Sequence, residues 1–171
     1  MTIMPKVISS IVPQKEFRPR TVRSSSLFIS MSAIEAMTDH ADEGYLDNKE
    51  IMGLMMGRSY SDDIGEYVLV TDIATSGLDS DEVSVRFNHD SLEDLFESID
   101  TSDGKNIVGW YHSHPGFGCY LSSTDMKTHE GIFGEELGFA VVIDPSDSTL
   151  KAFTFCNGEV KEVSMIIMES E

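Results

Sequence analysis

Cysteine is nearly absent, with two in 171 residues, Cys119 and Cys156. Two thiols build neither a disulfide framework nor a four-thiolate zinc site, and each reads as a small buried hydrophobe. Long apolar runs are missing as well. The longest, "FAVVI" and "MIIM", fall far short of the roughly 20 residues that cross a bilayer. Near the start, "VISSIVP" is broken by two serines and a proline, unlike a secretory leader. No membrane partner is expected, and the cytoplasm is the default compartment. Basic side chains are scarce too, 12 Lys and Arg against 30 Asp and Glu, for a net charge of −18. Five of the basic residues (Lys6, Lys15, Arg18, Arg20, Arg23) lie in residues 1–30 with one acid, Glu16, so that lead carries +4 and the rest −22. A field of that sign repels phosphate backbones, which argues against nucleic acid as a partner. It suits a basic polypeptide, although solubility alone accounts for it.

What is present reads as one soluble domain, 40% apolar and 25% charged. Residues 1–24 read as a basic N-terminal arm or a first strand, and residues 25–171 as the folded body. "SAIE" is a capping-box pattern that predicts a helix from Ser32, with Ile34, Met37 and Ala41 at helical spacing and the acidic turn "DEGYLDN" ending it. "EIMGLMMG" reads as a buried strand whose glycines permit close backbone approach. "EYVLVTDIAT" reads as a second strand, and the alternation of Val83, Val85 and Phe87 as a third. Leu92, Leu95, Phe96 and Ile99 behind a Ser91 cap predict another helix. "NIVGWYH" is a strand, a short helix starts at Ser122 or Ser123 and runs to Phe133, and "GFAVVI", "TLKAFTFC" and "EVKEVSMII" close the chain, with a hairpin turn at "CNG". Strands interleaved with two or three helices make a single α/β domain, a mixed sheet sandwiched by helices.

The chemistry concentrates in "GWYHSHPGFGCYLSSTD", residues 109–125. Side chains two apart on a strand share a face, so His112 and His114 can converge on one point. Neutral imidazole is a common zinc ligand. Asp125 could complete the set if the chain turns back after "PGFG". Two histidines and an aspartate fill three of the four tetrahedral positions, and leaving the fourth for water distinguishes a catalytic site from a structural one. The plainer reading is equally open on the residues alone, because Ser122 and Asp125 also cap helices.

"HSHP", six residues and then "SSTD" resembles the JAMM motif of the MPN+ zinc metalloproteases. The flanking "GWYHSHPGFGC" is similar to the proteasome-lid deubiquitinases and their signalosome relatives in particular, and "EIMGLMMG" resembles the block in which the family keeps its acidic residue, here Glu50. The likeness covers roughly residues 25–160. It implies an MPN domain of cytidine-deaminase-like fold, with zinc held by His112, His114 and Asp125. It further implies Glu50 as general base and acid toward zinc-activated water, and Ser122 as donor to the oxyanion, a role that competes with its helix cap. The implied reaction is isopeptide hydrolysis after the C-terminal Gly-Gly of ubiquitin or a ubiquitin-like modifier, whose tail would lie along Glu82–Phe87. Proteasome association or a homodimer belongs to the same resemblance.

The pattern departs from the lid enzymes after "VIDPSDSTLKAF", where the second insertion and trailing helices of that group are not found. That departure puts lid incorporation in doubt and implies a compact, free-standing enzyme, such as a prokaryotic or archaeal homologue. His40, His89 and His129 read as solvated or supporting residues rather than ligands. Ser113 and Ser122 lack the strand–turn–helix context of a serine nucleophile, and a thiol attack by Cys119 would leave the histidine clamp without a use. A non-catalytic MPN scaffold and a zinc hydrolase of a small-molecule amide or thiocarboxylate are the alternatives.

Overall fold

The computed structural model describes residues 26–75, 96–97, 99, 103–156 and 158–169. The basic lead, the third expected strand with the Glu82–Phe87 tail site, His89 and most of the Ser91–Ile99 helix lie outside these residues. The described part holds eight strands and two long helices: β1 (Leu27–Ser30), α1 (Met31–Leu46), β2 (Met52–Ser61), β3 (Glu66–Ala74), β4 (Asn106–Ser113), α2 (Ser123–Phe133), β5 (Phe139–Asp144), β6 (Thr149–Cys156), β7 (Glu159–Val163) and β8 (Met165–Met168). They form one mixed sheet in the order β7-β6-β5-β4-β2-β3-β1-β8. β4 runs parallel to β5 and antiparallel to β2, so the strand carrying the histidines is central and covered on both edges.

Each face of the sheet buries its own helix. Ala33, Met37 and Ala41 of α1 cluster with Leu27, Ile29, Val68, Val108, Val141 and Ile143, whereas Ile132 and Phe133 of α2 cluster with Met52, Leu54, Trp110 and Ala140. Adjacent residues such as Ala140 and Val141 thus serve opposite cores, as the alternation of a strand requires. α1 departs from its expected limits at both ends. Its cap is Ser30, which accepts from Ala33 N, and not Ser32. It then runs through the acidic stretch to Leu46, because Gly44 continues the buried stripe of Ala33, Met37 and Ala41. A Cβ at Gly44 would lie 2.5 Å from the Ile51 side chain. Burial of that face outweighs the unfavourable placement of acids near a helix C-terminus.

β2 uses its glycines as expected. Gly53 lies under the Tyr111 ring, which a Cβ would approach to 2.6 Å, and Gly57 sits where a Cβ would run into the Leu69 backbone, at a register shift against β3. "EVKEVSMII" is not one strand but two on opposite edges: β7 pairs with β6, whereas β8 pairs in parallel with β1.

Candidate metal centre

The centre is assembled by two local devices. β4 ends on His112 and Ser113, with His114 the next residue, and its antiparallel ladder with β2 places Met52 opposite His112. Beyond that pair, Ser113 N donates to Ile51 O at 3.0 Å, and Ile51 N donates to Ser113 Oγ at 2.9 Å. These two bonds fix the chain at Ile51 and so carry the adjoining Glu50, itself 4% exposed, to the end of the strand that bears the histidines. α2 begins on a capping box: Asp125 N donates to Ser122 Oγ at 3.1 Å, and Ser122 N donates to Asp125 Oδ2 at 2.9 Å. The box turns the carboxylate back toward β4.

There it meets both histidines. His112 Nε2 lies 3.0 Å and His114 Nε2 3.1 Å from Asp125 Oδ2, and the two nitrogens are 3.1 Å apart. All three side chains are buried, and among the described residues theirs is the group of ligand atoms that could hold a metal ion. The His114 Nδ1 lies 3.2 Å from Gly118 O. A carbonyl only accepts, so Nδ1 carries the proton and Nε2 of the neutral ring presents a lone pair. His112 is stacked on Trp110, with ring centroids 4.5 Å apart and planes 12° from parallel. Trp110 in turn donates its Nε1–H to His129 Nδ1 at 3.1 Å.

The electrostatics show why this triangle suits a cation. Hydrogen bonds alone leave lone pairs facing one another at about 3 Å unless a proton or a metal intervenes. Burial disfavours a charged His114, but the hydrogen bond and charge of Asp125, the Gly118 carbonyl and the charge of Glu50 together hold its pKa above the ordinary value. His112, more deeply buried, is pushed down by desolvation. Burial works against ionisation of Asp125 too, yet the two histidines and Ser122 N hold its carboxyl well below the usual carboxylate range. The site therefore keeps a carboxylate beside imidazoles whose facing nitrogens call for a shared positive charge. Tetrahedral zinc with bonds of about 2.0–2.1 Å separates its ligands by about 3.3 Å, close to the 3.0–3.1 Å edges here. Donor types and spacing both fit the ion.

The model of the JAB1/Mov34/MPN/PAD-1 ubiquitin protease family matches residues 23–133. The chain belongs to this family. It is 38% identical over 130 residues to COP9 signalosome complex subunit 5 of Gibberella zeae, covering 72% of this chain and 36% of that protein. It is 36% identical over 133 residues to the 26S proteasome regulatory subunit RPN11 of Eremothecium gossypii, covering 72% and 39%. This JAB1/MPN chain thus spans well under half the length of those two relatives. Its fold is shared with the solution structure of DSY2949 from Desulfitobacterium hafniense, at a TM-score of 0.60, 23% identity and coverage of 84% of this chain and 94% of that one.

The expected ligand residues come together, and Glu50 and Ser122 lie beside them in the chain's local geometry. Ser122 caps α2 as expected, through a lone pair of its hydroxyl, a bond that does not use its O–H. Of the two roles expected for His129, the supporting one holds: it is buried and accepts from Trp110, and desolvation lowers its pKa to about 4. One reading is corrected. Cys119 is half-buried, with its thiol against Thr149, and not a core residue. His40 is half-buried and meets the Tyr111 hydroxyl at 2.7 Å, apart from the triangle. Sequence reasoning missed the support from Trp110, although its i, i+2 relation to His112 on one strand was a usable signal. It also missed Asp144, whose bonds are to loop amides that no local pattern marks.

Among the described residues, no helix is long and apolar enough to cross a membrane.

Proposed function

We propose that this chain is a zinc-dependent isopeptidase, cytoplasmic, that hydrolyses the bond after the C-terminal Gly-Gly of ubiquitin or a ubiquitin-like modifier. The observation that supports it most is the buried triangle of His112, His114 and Asp125, in a member of a ubiquitin protease family. These three residues hold the metal. When bound, zinc supplies a Lewis acid that polarises the scissile carbonyl and makes water a nucleophile near neutral pH.

The chain's own residues do the rest. Glu50 takes the proton from the attacking water and later passes it to the departing amine. Its burial keeps bulk water from competing for that proton. Ser122 donates its free O–H to the oxyanion that develops on the substrate, while its oxygen stays fixed by Asp125 N. Trp110 keeps the His112 ring in its plane, and Gly118 O keeps the His114 proton on Nδ1. The acidic body, −22 over residues 31–171, suits a basic conjugate tail.

Metal analysis by mass spectrometry, paired with cleavage of a ubiquitin-type conjugate, tests this reading. Zinc is expected in the purified protein, and cleavage should stop with chelator and return with added zinc. Glu50→Gln should keep its zinc and lose turnover by about 10²–10⁴-fold, whereas His112→Ala should lose both. Full turnover in the glutamine variant would remove Glu50 as the base. A protein that never takes up zinc would be the non-catalytic MPN scaffold. Zinc without conjugate cleavage would favour the small-molecule amide or thiocarboxylate reading.

A further inference from the structure

The loop between the two halves of the metal triangle is held by a residue outside it. Asp144 ends β5, is 3% exposed, and spends both carboxylate oxygens on backbone amides. Its Oδ1 accepts from Gly116 N at 2.9 Å, from Ser146 N at 3.0 Å and from Ser146 Oγ at 2.6 Å. Its Oδ2 accepts from Gly118 N alone, at 2.9 Å. Gly116 and Gly118 have φ of 79° and 83°, the left-handed region that glycine tolerates, so the loop curls around the carboxylate. Burial alone would favour the neutral acid, but the Ser146 hydroxyl and the loop amides hold the carboxyl below the usual range.

Gly118 looks both ways. Its N–H is held by Asp144, and its carbonyl faces the His114 Nδ1. The backbone on the other side of the loop is tied to the same strand, because His114 N donates to Ile143 O at 2.8 Å. Among the described residues, His112 Nδ1 has no hydrogen-bond partner, so the carbonyl of Gly118 supplies the one such bond that orients a ring of the clamp.

We infer that Asp144 is a positioning residue for metal binding: through Gly118 it fixes the ring and tautomer of His114, and thereby sets the affinity of the His112–His114–Asp125 site. The inference rests on the reading of that triangle as a metal site. Hydrogen bonds to the far nitrogen of a metal-bound imidazole commonly change metal affinity by about 10–100-fold when lost. Here the bond is carried one residue further, through Gly118, whose N–H and carbonyl are both engaged.

The asymmetry of the two oxygens provides the test. In Asp144→Asn, the amide oxygen can keep the three bonds of Oδ1 while the NH2 faces Gly118 N–H, donor against donor. Ser146→Ala removes the hydroxyl from Oδ1 and leaves Gly118 held. Zinc affinity is to be measured by competition with a chromophoric chelator on the full chain, with melting temperatures of the metal-free proteins alongside. Nitrogen NMR of the metal-free proteins, recorded at a pH where the His114 ring is neutral, reports its tautomer.

Asp144→Asn is expected to weaken zinc about tenfold or more and to lose the single Nδ1–H tautomer at His114. Ser146→Ala should stay within about threefold of wild type. Equal zinc affinity in wild type and Asp144→Asn would overturn the inference. So would an equal loss in Ser146→Ala, which would mark the effect as general loosening of the turn. If Asp144→Asn does not fold, the wild-type spectrum decides: an Nδ1–H tautomer at His114 supports the assignment, and an Nε2–H tautomer refutes it. A wild-type chain that binds no zinc refutes instead the metal site on which the inference stands.

Discussion

His129 shows how much one buried imidazole can contribute. It accepts from the Trp110 indole, and desolvation holds its pKa near 4 against an ordinary value of 6.5. The unfolded chain therefore binds more protons than the folded one between these values, so stability falls as pH drops through that window. At pH 5 the loss relative to pH 7 is about 2 kcal/mol from this residue. Urea denaturation at the two pH values should show that increment in the wild type and lose it in His129→Gln, whose amide oxygen can still accept from Trp110. An unchanged difference in the variant would place the acid sensitivity elsewhere. At this scale the sequence was most informative about the triangle of candidate ligands: the i, i+2 histidines and the Ser-x-x-Asp box each carry a local geometry that spacing reveals. It was least informative about His129 and Asp144, whose partners, Trp110 and the 116–118 amides, come from other elements.

Elements were legible where their signal is internal. β4 with its terminal histidines, α2 with its Ser122 cap, and β5 and β6 lie close to where periodicity and capping put them. β1 was not, because "LFIS" is too short to show alternation and is a strand only through its parallel neighbours β3 and β8. The division of "EVKEVSMII" has the same cause: each half follows a different partner. The glycines of β2 permit a sharper test. At Gly57 a Cβ meets backbone atoms of Leu69 and Val70 that cannot rotate away. Gly57→Ala should cost about 3 kcal/mol, the upper end of ordinary overpacking, and lower the melting temperature by about 6–12 °C. Gly131→Ala, on the exposed face of α2 with nothing within 4 Å of the new Cβ, should instead add about 0.5–1 kcal/mol through helix propensity. Calorimetry on both variants reads the contrast, and equal shifts would show that the β2 backbone yields.

For the whole molecule, sheet order was beyond any local pattern, since it depends on which edges meet after collapse. On the proposed reading a metal would join β4 to α2, so its removal should be felt globally. With zinc about a thousandfold above its Kd, binding adds about 4 kcal/mol, and chelation should lower the melting temperature by about 8–16 °C. That increment should shrink on acidification. Ligands bind deprotonated, and His114, with its raised pKa, takes a proton before Asp125 does as pH falls. Melting scans with and without chelator across pH check both points; an increment that persists well below the titration of His114 would mean that other groups hold the ion. The layout also orders assembly in time. His114 and Asp125 are 11 residues apart, whereas the contact of Ile51 with Ser113, which brings in Glu50, spans 62. Short loops close sooner than long-range strand pairings. On the proposed reading, a refolding chain would capture its ion while it still lacks its base, and a native chain whose β2–β4 seam opens would be disarmed before its triangle comes apart. Were the proposed activity present, proteolytic competence would then be the last thing gained on folding and the first thing lost, a safeguard against cutting by half-made enzyme.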